Sequence, residues 1–220
     1  MFLQVEDLLS AAEVAAITKL AQQARFVDGR VSNPHNKTKL NMIADLGDPA
    51  AQQASQVAFA ALQRSEQTMN FAFPQRIVPP QLCRYGVGMT YGAHTDAAYL
   101  MIGQQALRSD VSCTLFLSDP SAYQGGELIV YLGSEVVRVK GSPGSALLYP
   151  STTLHQVAPV TSGERLVMIT FIQSRIPDQM QRDLLYKLGE VRALEGLKMD
   201  WHNRTQLEHV ITNLQRMWSG

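Results

Sequence analysis

The spacing of apolar positions changes character twice along the 220-residue chain. Up to about residue 75 it is helical. After Ser10, apolar residues recur at Val14, Ile17, Leu20 and Ala21, three or four apart, as one buried helix face requires. Ser10 with Glu13 three residues on forms a capping-box pattern, and Leu9 with Val14 can staple the entry to the helix. A second helix is expected to open at Asp48, a capping residue followed by Pro49 at the first helical position, and to continue through AAQQASQVAFAALQ. Between the two, VSNPHNKTKLN is polar and turn-forming, so it reads as a loop or a short hairpin.

From about residue 78 the period shortens. QLCRY, VSCTLFLS, GELIVYL, EVVRVK, SALLYP and ERLVMITFIQS are short, rich in β-branched and aromatic residues, and separated by Gly, Pro and Ser. Successive strands with no helical pattern between them predict an antiparallel sandwich or barrel rather than a parallel α/β sheet. YQGGEL and KGSPGS supply turns. After Ile176 the helical spacing returns in PDQMQRDLLYKLGEVRALEGL and RTQLEHVITNLQRMW, with Pro177 and Asp178 to open the first and Gly196 to stop it. The expected organisation is a helical region over 1–77 packing on a β core over 78–176, followed by a helical appendage over 177–220. The class is mainly β with flanking α-helices.

Composition narrows the functions open to such a chain. It is 45% hydrophobic and 17% charged, which is globular rather than disordered. Nineteen basic residues balance nineteen acidic ones, so no net field favours nucleic acid or an anionic membrane, and neither is expected as a partner. The start lacks a basic segment followed by an apolar run, and no stretch of about 18 apolar residues follows anywhere. Cys83 and Cys113 cannot build a disulfide framework and have no CxxC spacing. A reducing, cytoplasmic setting is expected.

Chemistry enters at YGAHTDAAYL, where His94 and Asp96 stand two apart. Residues i and i+2 of an extended strand point to the same side, so these two can offer one nitrogen and one oxygen to a single ion. A facial triad needs a further imidazole. His202 and His209 fall in the helical tail and His35 in the early loop, whereas His155, in YPSTTLHQVAPV, lies in the β region. A lone HxD is a weak signal, and a histidine on an apolar strand is commonly a hydrogen-bonded core residue. Arg165, ten residues after His155, adds specificity: its fixed fork of donors matches a carboxylate in two parallel bonds. Seen alone, it reads as a strand-start arginine paired with Glu164.

RYGVGMTYGAHTDAAY, RSDVSCTLFLSDPSAYQGGELIVY and GSALLYPSTTLHQVAPVTSGERLVMITFIQSRI together closely resemble the bacterial PKHD-type hydroxylases, which belong to the Fe(II)- and 2-oxoglutarate-dependent dioxygenases of the prolyl and lysyl hydroxylase group. The resemblance is strong over residues 78 to 176 and looser in the flanks. It implies a double-stranded β-helix (jelly-roll) core, with His94, Asp96 and His155 as the iron ligands and catalytic through the metal. It implies that Arg165 binds the C5 carboxylate of 2-oxoglutarate, and that Tyr85 sets its hydroxyl against the same co-substrate, with Tyr91 a nearby competitor for that role. The cofactors implied are Fe(2+), 2-oxoglutarate, O2 and L-ascorbate, and the products are succinate, CO2 and a hydroxylated C–H bond. The presence of Asp96 favours hydroxylation over halogenation, since halogenases of this type lack the acidic ligand.

The substrate is a protein side chain or a small molecule, and bacterial members of the group are linked to siderophore-dependent iron uptake. Asn33, Lys37, Lys39 and Asn41 in the early loop are candidate substrate contacts, or parts of a solvated connector. Arg108 and Asp110 can border the same pocket or pair with each other. The apolar faces of the tail, with Trp201 and Trp218, suit a homo-oligomer interface or self-packing equally. The competing readings are a non-redox metal hydrolase and a metal- or ligand-binding module on the same jelly roll. A His/Asp/His set also suits zinc, but a hydrolase leaves Arg165 without a task.

Overall fold

A computed structural model describes residues 1–220. The elements of the first third are β1 (Leu3–Val5), α1 (Ala11–Gln23), β2 (Phe26–Asp28), β3 (Lys39–Leu40), β4 (Met42–Ala44), α2 (Pro49–Arg64), α3 (Glu66–Ala72) and β5 (Pro74–Ile77). The central third runs through β6 (Gln81–Tyr85), β7 (Thr90–His94), β8 (Tyr99–Ile102), β9 (Gln105–Arg108), β10 (Val111–Phe116), β11 (Tyr123–Gly125), β12 (Leu128–Leu132) and β13 (Glu135–Val139). The chain then forms β14 (Ala146–Pro150), β15 (His155–Val157), β16 (Val160–Gly163), β17 (Arg165–Ser174), α4 (Gln179–Glu195) and α5 (Trp201–Trp218).

Capping chemistry sets the helix starts. The Ser10 hydroxyl accepts from the Glu13 N–H at 3.3 Å, and the Glu13 carboxylate accepts from the Ser10 N–H at 2.8 Å. Arg64 at the end of α2 donates twice to that same carboxylate, at 2.7 and 2.6 Å, which ties α2 to the start of α1. Asp48 caps α2 ahead of Pro49, and Asp178 caps α4.

Two antiparallel sheets face each other. The larger has the order β1-β14-β10-β17-β6-β4-β2, with β5 also on β17, and the smaller the order β13-β12-β15-β7-β3. This is the jelly-roll arrangement expected of the middle region. β10 and β17 are buried on both faces. Val111, Cys113, Leu115, Leu166, Met168 and Ile172 pack with Ile17, Ala54, Ala58 and Leu62 of the helices. The alternate residues Phe116 and Val167 join Leu147, Leu128, Val130 and Val157 between the sheets. Each fully buried aliphatic side chain contributes about 1.5–3 kcal/mol relative to exposure, so the helical layer is an integral wall of the core.

The early segment departs from the purely helical expectation over 1–77. β1 adds to the edge of β14, β4 pairs β6 and carries β2 beyond it, and β3 pairs β7. These strands have two or three residues each, too few to show a period, and they form because a sheet edge offers them partners. The polar stretch 31–41 therefore ends in strand. YQGGEL also departs from a simple turn: Tyr123–Gly125 pairs β16 as β11. Gly125 has φ +70°, and a Cβ there would lie 2.0 Å from the Pro159 carbonyl oxygen, so only glycine fits. The hairpin β8–β9 turns at Gly103, with φ +59°.

At the other end, Arg182 of α4 is buried and donates to the carbonyls of Ile176 and Pro177 at 2.8 and 2.7 Å, anchoring the tail to the core. No helix is long and apolar enough to cross a membrane.

Candidate metal centre

His94 ends β7 and His155 begins β15, and the two face each other in register on neighbouring antiparallel strands. That pairing, rather than sequence proximity, brings the two imidazoles together. Asp96 lies just past the end of β7, where its N–H donates to the Ser151 carbonyl at 3.3 Å. The His94 Nδ1–H donates to the Gly92 carbonyl at 2.7 Å, and the His155 Nδ1–H to the Thr153 carbonyl at 2.9 Å. A carbonyl can only accept, so both rings keep the proton on Nδ1 and present the Nε2 lone pair. The Nε2 atoms stand 3.9 and 3.8 Å from the two Asp96 oxygens. One ligand atom from each of the three residues fits within a 4.8 Å span.

Ligands about 2.1 Å from one ion stand roughly 3–4 Å apart, so the three donors fit a divalent cation of mixed nitrogen and oxygen preference. Burial, and after it the neighbouring His155, pulls the His94 pKa down to about 4, which leaves this ring neutral at neutral pH. Aromatic walls fix both rings. Tyr91 stacks on His94 with centroids 3.6 Å apart and planes 19° apart, and Tyr149 meets His155 edge-on at 5.2 Å.

Sequence reasoning missed the chain of hydroxyls behind Asp96. Ser112 donates to Asp96 Oδ2 at 2.5 Å, the Ser112 and Ser151 hydroxyls are 2.8 Å apart, and Ser109 donates to Ser151 at 2.8 Å. All three serines are buried, and each hydroxyl can donate forward to the next, ending on the carboxylate. Ser112 thereby fixes the orientation of the Asp96 carboxylate beside the two imidazoles. The one signal for it in the sequence is phase: Ser112 and Thr114 take the alternate positions of a strand whose other residues are apolar. Ser112→Ala is expected to weaken Mn(II) binding, measured by calorimetry, about 10- to 100-fold. Wild-type affinity in that variant would show that the serine leaves Asp96 unaffected.

Arg165 begins β17 opposite Tyr85 of β6 and is 2% exposed. No carboxylate lies within 4 Å of it, and its Nε has no hydrogen-bond partner. Glu164, the partner expected of a surface arginine, pairs with Arg84 at 3.4 Å instead. The guanidinium carbon sits 5.0 Å from the centroid of the Tyr85 ring. Burial pushes the Tyr85 hydroxyl well above the ordinary range, so it stays protonated and can donate. Arg165, Tyr85 and the three donors line one cleft between the sheets. An anion inside this cleft could meet the Arg165 guanidinium.

The remaining candidates separate clearly. Tyr91 stacks on His94, and its hydroxyl receives the Asn33 Nδ2–H at 3.0 Å, so it serves the imidazole while Tyr85 faces the arginine. Lys37 is exposed, whereas Lys39 and Asn41 are buried. Asn41 packs so tightly on Gly29 that any Cβ at position 29 would overlap it. Arg108 pairs with Asp110 at 2.7 Å, and Asp110 also receives the Ser174 N–H at 2.8 Å, a clamp within the fold. His202 and His209 lie exposed on α5, and His35 lies exposed in the early loop. None of these three joins the cluster.

Comparison with known proteins agrees with this geometry. Residues 80–173 match the family model of the 2OG-Fe(II) oxygenase superfamily. A PKHD-type hydroxylase of Sphingopyxis alaskensis is 51% identical over 96% of this chain and 97% of its own length. One of Stenotrophomonas maltophilia is 38% identical over 100% of this chain and 99% of its own. Among solved structures, a Pseudomonas putida prolyl-4-hydroxylase superposes with a TM-score of 0.58 at 19% identity, covering 79% of this chain and 92% of that one. A prolyl hydroxylase of Trichoplax adhaerens in complex with a hypoxia inducible factor peptide fragment gives 0.58 at 18% identity, covering 83% and 86%. These two likenesses show the fold alone. Identity above one half along nearly the whole length shows more, and by it the chain belongs to the PKHD-type hydroxylases of the 2OG-Fe(II) oxygenase superfamily, as a 2-oxoglutarate-dependent dioxygenase that hydroxylates with Fe(II).

Proposed function

We propose that His94, Asp96 and His155 hold the Fe(II), that Arg165 receives the C5 carboxylate of 2-oxoglutarate, and that the Tyr85 hydroxyl orients it. The observation that carries this is the pairing of a three-donor cluster with a buried arginine lacking any carboxylate in the same cleft. A buried cation without a counter-ion is costly, and a co-substrate dianion would satisfy it. A metal hydrolase on the same scaffold would leave that cost standing.

With Fe(II), 2-oxoglutarate and O2 bound, the chemistry supplied is oxidative decarboxylation to succinate and CO2 coupled to hydroxylation of a substrate C–H bond. The chain's residues do the rest. The carbonyls of Gly92 and Thr153 hold both imidazoles in the ligating tautomer. Ser112 donates to Asp96 Oδ2 and so restrains the carboxylate. Arg165 would hold the far carboxylate of the co-substrate. Tyr91, Tyr149 and Leu128 wall the cleft against water.

The substrate is a peptide side chain or a small molecule, and ascorbate fits as the reductant that keeps the iron divalent. We place the oxygenase unit at 78–176, flanked by 1–77 and 177–220, in a cytoplasmic protein. The exposed Trp201 and Leu197 of the tail suit contact between copies of the chain.

The test is anaerobic addition of Fe(II) and then 2-oxoglutarate. A weak visible charge-transfer band is expected in the wild type and absent in His155→Ala. Tight metal binding with no band on adding 2-oxoglutarate would overturn the assignment.

A further inference from the structure

Lys39 is a second buried cation of the barrel, and the proposed iron and 2-oxoglutarate sites leave it without a task. It stands on β3 opposite Tyr91 of β7 and is 5% exposed. Its ammonium lies 5.1 Å from the centroid of the Tyr91 ring, the same ring that stacks on His94 and lines the cleft. It donates to the Ser32 hydroxyl at 2.5 Å. No carboxylate comes within 4 Å of it, and the two that act on it from farther away are already engaged. Asp28 is held by Arg30 at 3.0 Å, and Asp96 by Ser112 and its place in the donor cluster. Burial also pulls the lysine below its ordinary pKa, as expected of an ammonium removed from water without a counter-ion.

A single hydroxyl does not compensate a buried ammonium. Arg165 already serves the co-substrate, and it lies on the larger sheet at the start of β17, whereas Lys39 lies on the smaller sheet with His94 and His155. The two cations therefore belong to different walls, Lys39 beside the Tyr91 ring rather than on the lining of the cleft itself. The geometry points to a substrate subsite: Lys39 binds a carboxylate or similar oxyanion on the molecule to be hydroxylated and seats it along the Tyr91 side of the metal centre. This rests on the dioxygenase reading above and adds the substrate class, an anionic one. Lys39 does not itself line the cleft, so this role requires its flexible stem to turn the ammonium from Ser32 past the Tyr91 ring to meet the anion. The chain carries no net charge, so selection for an anion has to come from a placed cation rather than from the overall field.

The experiment uses a soluble metabolite extract divided on ion-exchange resins into anionic, neutral and cationic fractions. Each is given to the Fe(II)-loaded enzyme with saturating 2-oxoglutarate, ascorbate and air. Products heavier by one oxygen and succinate above the extract-free background are measured. The anionic fraction is expected to give the product. In Lys39→Met its yield at limiting extract should fall at least about 30-fold and recover as extract is raised, which marks a binding defect. Lys39→Arg should restore part of the yield. In a parallel anaerobic titration followed by the visible band, half-saturation with 2-oxoglutarate should stay within about twofold in Lys39→Met, whereas Arg165→Ala should shift it strongly. That band also reports a folded, loaded site in each variant.

Product from no fraction or only from the neutral or cationic ones overturns the subsite. So does a Lys39→Met yield equal to wild type, or a 2-oxoglutarate shift in Lys39→Met as large as in Arg165→Ala. Failure of the underlying reading looks different: the wild type would then show neither band nor succinate.

Discussion

Arg165→Ala is expected to raise the 2-oxoglutarate concentration for half-maximal succinate formation by roughly 30- to 3,000-fold. The range follows from the cost of truncating one partner of a buried charged pair, about 2–5 kcal/mol, at about 1.4 kcal/mol per decade. Arg165 is 2% exposed and has no carboxylate in reach, so nothing in the chain stands in for the lost guanidinium. Metal affinity should change far less, because a guanidinium donates only and cannot ligate a cation. Arg165→Lys restores the charge without the two-pronged fork, so it should fall between wild type and alanine. The measurement is succinate formed against co-substrate concentration, beside a metal titration of the same preparations. Equal co-substrate dependence in wild type and Arg165→Ala would remove the main ground for placing 2-oxoglutarate in this cleft.

His155→Ala should lower Fe(II) affinity by more than about 100-fold, beyond the 10- to 100-fold that partners behind the ligands typically command. The two remaining donors, His94 and Asp96, no longer define one face of a coordination sphere. Asp96→Gly should likewise weaken the metal and abolish hydroxylation while keeping both imidazoles. His202→Ala and His209→Ala, on exposed α5, should leave the titration unchanged. Because the His94 pKa is lowered to about 4, binding at neutral pH displaces no proton from that ring, and competition from protons there should set in only as pH falls toward 4. Calorimetry with Mn(II) as a redox-stable surrogate reads all four variants. Retained affinity in His155→Ala, or full hydroxylation by Asp96→Gly, would show that the residue is no ligand.

Much of the fold was legible along the chain because its long elements carry strong periods. The two N-terminal helices announced themselves by Ser10 with Glu13 and by Asp48 with Pro49, and the structure caps them as those residues require. QLCRY over 81–85 is β6 to the residue, and the core strands β10, β12, β14 and β17 fall inside the segments marked by β-branched runs. β1 to β4 were not legible. Two or three residues carry no measurable period, and such strands exist only because β14, β6 and β7 present open edges to them. The hairpin β8–β9 likewise showed no alternation strong enough to separate it from a loop.

The same division holds at the site. Residue type and spacing made His94, Asp96, His155 and Arg165 candidates, and the resemblance to the PKHD-type hydroxylases supplied the role expected of each. What the chain alone left open was everything set by contacts between distant segments. The pairing of β7 with β15 places two imidazoles 61 positions apart face to face, and β10 brings Ser112 onto Asp96. Whether Arg165 is a surface group paired with Glu164 or a buried cation waiting for an anion depended on the alternation of β17 and on Arg84 taking the glutamate. Lys39 is the sharpest case. In the sequence it stands in a polar connector beside Lys37 and Asn36, and only the docking of β3 against β7 takes it out of water and sets it beside Tyr91, while Lys37 two residues away stays exposed. Local sequence determines which chemical groups are present and which faces an element offers, whereas the desolvation that gives those groups their work is a property of the packed sheets.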